Sequence, residues 1–409
     1  AGQWFDIYWK DCLYGYPGAQ NCIIIKDLKN DNGYYLIQTP RMYFQGTKDS
    51  STFYYSYIDL SLDNGKGAVT LKNVRFYDKM DLIYSYTTAI KDKNNNGHWL
   101  IQPIIGSSYV RFYIGENGIE QFPNLESFQP FDRERSSSGG TAKFSPDGTK
   151  YALYNYYDQL HIYDFDRATG ILSNHQKIEI YPPDSIDRNK ILFSSVEWSP
   201  NGRFVYCASS EKLHQVDTWV SNPQDGVRHI ADYNGALDPF PTRLFLMAQG
   251  PDCRIYMTPK NGSYSLHVIN KPDELGTACD FVQNAIKLPN SNSGTLPNFP
   301  RFRVDEDDKC DPKISSVFGD AVYYRRQLNV YPNPSSGVFR VTIPEGFISG
   351  TMVVTNLYGQ VLIQKSVDNV SVFQEIDITS LPGGVYNIEV YPKDNSARIF
   401  YGKQVVKVD

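Results

Sequence analysis

The chain has 409 residues, with 40 Lys and Arg against 45 Asp and Glu, a net charge of -5 and a pI near 5.8. That balance argues against nucleic acid, whose phosphates demand a basic surface. No apolar run approaches the roughly 18 residues of a membrane-spanning helix, and the abundance of Tyr (31), Phe (22), Gly (30) and Pro (24) favours strands joined by tight turns over long helices.

The chain opens on "AGQWFDIYW", without Met and without a signal peptide, and so reads as a processed form or a fragment. From residue 23 onward one unit recurs: a strand, a tight polar turn, then an aromatic-rich strand. It appears in "IIIKDLKNDNGYYLIQT", "TTAIKDKNNNGHWLIQP", "TAKFSPDGTKYALYN", "SSVEWSPNGRFVYCAS" and "LMAQGPDCRIYMTP". The turns align at Gly33, Gly97, Gly148, Gly202 and Cys253, a period near fifty. Asn-Gly and Asp-Gly supply positive φ for a two-residue hairpin. A third strand follows each pair: "FYYSYIDLS", "SYVRFYIG", "LHIYDFD", "HQVDTW" and "SLHVIN". Repeats of this length with several short strands mark β-propeller blades. The expectation is an all-β fold: a β-propeller over residues 1–304 of about six blades, the N-terminal one incomplete. The sixth blade would join residues 1–20 to "LPNFPRFRV" (296–304).

Within the repeats few groups invite chemistry. Asp92, Asn94, Asn96 and Gly97 form the first half of an oxygen-rich calcium loop, but Pro103 stands where the bidentate acid belongs, so a hairpin turn is the better reading. Asp164, Asp166 and Arg167 resemble an acid pair, although carboxylates at i and i+2 share one strand face, and structural ion pairing is favoured. The six histidines are scattered, and neither HExxH, Gly-x-Ser-x-Gly nor a phosphate loop occurs. No cysteine lies in a CxxC pair, which disfavours zinc. No catalytic, cofactor or metal residues are therefore assigned, and no cofactor is expected. Aromatic clusters at 4–16, 98–99 and 154–157 are candidate sugar platforms, though most such rings fill space between blades.

After a charged connector (305–327) the pattern changes. Seven candidate strands follow within residues 328–409, punctuated by "PNPSSG", "LYGQ" and "SLPGG", the count and size of a small immunoglobulin-like β-sandwich. Pro332 and Pro334 cannot donate to a ladder and mark an edge. Gly337, Gly359, Gly383 and Gly384 sit where turns need unusual φ.

Two resemblances are specific. "GYPGAQNCIII", "YSYIDLSLDNGKGAVTLKN", "FSPDGTKYALYNYYDQLHIYDFDRATGILSN", "HVINKPDELGTACDF" and "LPNFPRFR" follow an order that resembles a family of secreted propeller proteins from Bacteroidota, in which another blade usually precedes the position of Ala1. The C-terminal part resembles the type A sorting domain of the type IX secretion system. It does so through "YPNPSSG" (Tyr331, Pro332, Asn333, Pro334, Gly337), "NLYGQVL" (Gly359), "IDITSLPGGVYNIEV" (Gly383, Gly384) and "GKQVVKV" (Lys403, Lys407). The second resemblance implies export across the outer membrane, with the secretion machinery engaging residues 328–409. Such domains are usually clipped by a sortase, the cargo being released or joined to surface lipopolysaccharide.

This address also implies an oxidising periplasm. Cys253 with Cys279, and Cys12 with Cys22, are then candidate disulfides. Cys207 reads as a buried thiol, and Cys310 as free or paired outside the chain. The functional expectation is a secreted or cell-surface, non-catalytic binding or assembly module, with a glycan, a surface protein or a homo- or hetero-assembly as partner. The alternative is a glycan-active enzyme with its site at the propeller channel mouth.

Overall fold

The computed structural model describes residues 19–39, 51–79, 81–83, 85–104, 108–126, 139–187, 192–292, 294–301, 304, 310, 324–343, 347–356, 360–368, 373–393 and 399–408. The chain divides into two compact units, residues 1–314 and 315–409.

Among its described residues the first unit holds five four-stranded antiparallel sheets, each in simple meander order. Blade 1 comprises β1 (Cys22–Lys26), β2 (Gly33–Gln38), β3 (Tyr54–Asp59) and β4 (Ala68–Arg75). Blade 2 comprises β5 (Thr88–Lys91), β6 (Gly97–Ile104), β7 (Ser108–Gly115) and β8 (Gly118–Glu126). Blade 3 runs through β9 (Thr141–Phe144), β10 (Lys150–Asn155), β11 (Gln159–Asp166) and β12 (Ile171–Ile178). Blade 4 runs through β13 (Ser194–Trp198), β14 (Phe204–Ser209), β15 (Lys212–Asp217) and β16 (Val227–Asp232). Blade 5 closes the series with β17 (Leu244–Gln249), β18 (Ile255–Pro259), β19 (Ser263–Ile269) and β20 (Phe281–Asn292). First strands of successive blades neighbour one another, as β5 does β9 and β13 does both β9 and β17.

The blades are held by what lies between them. Trp99 and Tyr109 of blade 2 meet Phe144, Tyr151 and Tyr163 of blade 3 in one buried cluster. Val196 and Trp198 of blade 4 pack on Tyr154 and Ile162 of blade 3, and Phe204 and Tyr206 on Met257 and Ile269 of blade 5. Each fully buried large side chain contributes about 1.5–3 kcal/mol, which explains the aromatic excess without recourse to ligands.

The repeated turns reach one outcome by two routes. Gly148 (φ +70°), Gly202 (φ +74°) and Cys253 (φ +66°) take the left-handed conformation. Gly33 and Gly97 instead open β2 and β6, where a Cβ would run into the rings of Tyr57 and Tyr113.

The stretch expected to supply part of a sixth blade behaves differently. Residues 295–300 form no strand, and Arg301 makes a single parallel bridge to Ile90 of β5. Asn298 donates to Cys22 O and Thr87 O, and Gln20 bonds both Ala142 N–H and O. The segment thus ties the first strands together from inside the ring. Residues 1–18, the other part of that blade, lie outside the described residues.

The second unit is a β-sandwich. One sheet has the order β21-β28-β27-β24-β25, built from β21 (Tyr324–Gln327), β24 (Ser349–Thr355), β25 (Val361–Asp368), β27 (Gly384–Pro392) and β28 (Ile399–Lys407). The other comprises β22 (Val330–Tyr331), β23 (Val338–Thr342) and β26 (Phe373–Asp377). Phe339, Val341 and Ile376 of the small sheet bury against Met352, Val354, Ile388, Val390 and Val405 of the large one. β21 lies within the stretch read as connector, yet its backbone pairs in parallel with β28.

Candidate binding site at the centre of the propeller

Four side chains from four segments converge where the first strands end. Lys143 sits on β9, Glu197 on β13, Gln249 on β17 and Arg301 on the crossing segment. Glu197 is 2 % exposed; its Oε2 lies 3.5 Å from Lys143 Nζ and its Oε1 3.7 Å from Arg301 Nη2. That Oε1 also accepts from Trp198 N–H at 3.0 Å. Arg301 donates to Gln249 Oε1 at 3.1 Å and to Phe144 O at 3.3 Å. Burial lowers the guanidinium's pKa, while Glu197 opposes the shift. These groups floor a cavity of about 280 Å³ whose walls include Phe144, Phe299 and Pro297.

A larger cavity of about 660 Å³ lies on the adjoining turns, lined by Asp147, Asp252, Asp273 and Glu274. Asp252 is held by Arg254 (2.6 Å) and the Tyr256 hydroxyl (2.7 Å). Asp147 caps its own turn through Ser145 and Thr149; burial would raise its pKa, but those hydrogen bonds hold it below the usual range. Burial raises that of Asp273.

The cysteines require a correction. Cys253 bonds to Cys310, not to Cys279, their Cα atoms 5.1 Å apart. The reason is direction. Cys279 points into the core between blades 4 and 5 beside Phe204 and Tyr206, fully buried. Cys253 sits on the turn before β18, within bonding reach of Cys310. Of the other expected pair, Cys12 lies outside the described residues, and Cys22 is a free thiol. Cys207 is a buried free thiol.

The other candidates are structural. Asp92 accepts from Asn96 N–H (2.8 Å) and the Tyr113 hydroxyl (3.0 Å), and burial with this bond pushes the Tyr113 pKa up to about 12. Asp164 pairs with Lys150 at 2.8 Å, Asp166 caps the following turn through Ala168 and Thr169, and Arg167 donates to the Lys91 and Asp92 carbonyls. Among the described residues no group of three or more His, Cys, Asp and Glu is placed to hold a metal. Of the sugar platforms, Trp99 and Tyr154 are core residues at 4 % and 0 % exposure, and residues 4–16 lie outside the described set.

In the sandwich, Asn333 fastens the first motif to the last: its Nδ2 donates to Gln404 O (3.0 Å) and its Oδ1 accepts from Val406 N–H (2.8 Å). Tyr331 is half-exposed, and cis peptide bonds precede Pro332 and Pro334. Lys403 pairs with Ile388 and Lys407 with Gly384 across β27 and β28. Gly337 takes φ +127°, whereas Gly383 and Gly384 do not take positive φ, contrary to expectation, because Gly384 already opens β27. Gly359 lies outside the described residues.

Sequence reasoning missed Lys143 and Glu197. One signal could have found them: both stand five residues before the turn glycine in otherwise apolar first strands, "TAKFSPDG" and "SVEWSPNG".

Residues 329–406 match the family described as "Secretion system C-terminal sorting domain". No curated protein matches the chain by sequence. Among solved structures it is similar to the periplasmic gluconolactonase PpgL of Pseudomonas aeruginosa, with 13% identity, 88% of each chain covered and a TM-score of 0.40. It is also similar to the β-propeller domain of Cps50 (Swd1) from Myceliophteria thermophila, at 9% identity, 96% and 97% coverage and a TM-score of 0.34. A third is the extracellular domain of the putative hybrid two component system BT4673 from B. thetaiotaomicron, at 9% identity, covering 97% of this chain and 57% of that one, with a TM-score of 0.37. No helix among the described residues is long and apolar enough to cross a membrane. A ring of four-stranded blades followed by a matched sorting domain makes this chain a β-propeller protein exported through type IX secretion, to the cell surface or beyond.

Proposed function

We propose that the chain is a non-catalytic binding or assembly module, displayed at or released from the cell surface once its sorting domain has engaged the secretion machinery. One observation carries this reading. Glu197, the one carboxylate among the described residues lining the central cavity, is held between Lys143 and Arg301. A glycoside hydrolase needs two carboxylates roughly 5–10 Å apart, and the described lining of this cavity offers one, already committed to an ion pair with two cations. The partners favoured are a glycan or a surface protein.

The test is the intact mass and native assembly state of the protein from its own cells, followed by glycan and cell-surface binding. A species clipped before residue 328 that binds a surface supports the reading. A monomer that binds no glycan, surface or protein overturns it.

A second reading, a glycan-active enzyme, draws on the larger cavity, where Asp147 and Asp273 are pushed in opposite directions. Against it, Asp147 already spends its carboxylate on its own turn. Glycan hydrolysis abolished by Asp273→Asn would establish it.

A further inference from the structure

We propose that the central cavity is a binding site for a carboxylate attached to a small ring, a reading that rests on the binding function above and names its ligand class. The argument begins with charge. Lys143 and Arg301 bring two cations to the cavity floor, and Glu197 brings one anion. All three side chains are at most 17 % exposed, and because Asp147 on the adjoining turn also acts on Arg301, the cation left least compensated where water is scarce is Lys143. Uncompensated charge at such a place is costly, and an anionic ligand removes the cost.

The donors differ in what they have left to give. Arg301 is engaged, with Phe144 O and Gln249 Oε1 as close acceptors. Lys143 Nζ is 3.5 Å from Glu197, beyond the 2.7–2.9 Å of a well-made charged hydrogen bond. An ammonium has three donors, and Lys143 lines the cavity with this single long ion pair among the described residues. A carboxylate seated there would accept from Lys143 and face Arg301, while Glu197 keeps its bond to Trp198 N–H.

The walls select what bears the carboxylate. Phe144, Pro297 and Pro300 are apolar, and Phe299 presents its ring at 59 % exposure. A volume of about 280 Å³ falls just below that of drug-sized pockets, room for one ring. A uronic acid residue of a glycan has this chemistry, its carboxylate bonded directly to the sugar ring; the C-terminal carboxylate of an aromatic residue, set off from its ring by Cα and Cβ, is the competing occupant.

Calorimetric titration of the full chain with glucuronate, galacturonate and N-acetylphenylalanine, each beside its uncharged ester or amide, tests the assignment. At least one uronate should bind, about tenfold or more tighter than its neutral counterpart, with affinity falling as salt rises. Lys143→Met should lose that preference while unfolding at the parent temperature to within a few degrees. Binding of N-acetylphenylalanine and of neither uronate makes the occupant a peptide C-terminus and overturns the inference. Equal binding of acid and neutral forms, unchanged binding by Lys143→Met, or no binding of any acid overturns the inference. If the acids fail while the chain still binds cells or glycans, the inference falls and the binding function stands. If an acid-bearing glycan is bound and cleaved, the site stands and the non-catalytic reading falls.

Discussion

The main chain of Arg301 runs parallel to that of Ile90, its N–H donating to Ala89 O at 2.6 Å and its carbonyl accepting from Lys91 N–H at 3.1 Å. From this anchor on blade 2 the side chain reaches blades 3, 4 and 5 through Phe144 O, Glu197 and Gln249. One residue therefore touches the first strand of four blades. It arrives from the far end of the repeats.

Arg301→Ala should accordingly destabilise the propeller by about 3 kcal/mol, because it removes a buried charged fork and leaves Glu197 with Lys143 alone. Denaturant unfolding followed by tryptophan emission measures it. Arg301→Lys should recover little, since an ammonium cannot serve the Phe144 carbonyl and Gln249 together. A loss below about 0.5 kcal/mol, the scale of an ordinary surface change, would remove Arg301 from its role as a tie.

The disulfide makes a second expectation. It closes 57 residues of sequence, for which chain entropy gives about 4 kcal/mol and measured cases typically 2–4 kcal/mol. Cys253→Ser with Cys310→Ser should cost stability in that range, and non-reducing peptide mapping should link Cys253 to Cys310 with Cys279 still alkylatable after unfolding. A peptide joining Cys253 to Cys279 would refute the pairing.

Much of the architecture was legible because local rules carry it. The turn glycines, the alternating strands and the three-strand units each encode themselves within about fifteen residues, and the sandwich announced its strands in the same way. The Arg301 crossing was not legible: "LPNFPRF" has strand-like residues but no alternation, and its partners lie 52 to 278 residues away. The Cys253–Cys310 bond was hidden for a related reason, since proximity in sequence favoured Cys279 while burial had already claimed that thiol. A polar position on the third strands was also passed over. Ser56 Oγ accepts from Asn73 N–H, Arg111 Nε donates to Pro123 O, and His267 Nδ1 accepts from Asn284 N–H, each beside a bulge in the ladder to the fourth strand. His161 and His214 hold the same place in blades 3 and 4, each preceded by Leu as His267 is, and that repeated pair was visible in the sequence.

Those histidines give the fold a pH dependence. Burial lowers the pKa of His98, His161, His214 and His267 to about 4 each, from 6.5. The unfolded chain therefore binds more protons between these values, so their contribution is present above about pH 6.5 and is lost as pH falls toward 4. The melting temperature of the propeller should decline through that window. His267→Gln should flatten the slope even if it lowers stability at neutral pH. A melting temperature constant from pH 7 to 4.5 would contradict the neutral, buried state of these rings.

The sorting domain carries the last expectation, at the point where its first motif meets its last. Gly337 sits at φ +127° with its carbonyl accepting from Ile378 N–H at 2.7 Å, and a Cβ there would press on the Thr379 backbone. Gly337→Ala should cost about 1–3 kcal/mol as strain. Asn333→Ala should cost about 1 kcal/mol, because it frees Val406 N–H and Gln404 O at the end of β28, where water can partly replace it. The two are separable by hydrogen exchange of the full chain. Gly337→Ala should accelerate exchange at Ile378 and along β26, whereas Asn333→Ala should act at Val406 and leave β26 as it was. If Asn333→Ala leaves Val406 protected, the clamp between the Pro-Asn-Pro turn and β28 contributes nothing, and the pairings to β27, β21 and Ser335 hold the final strand.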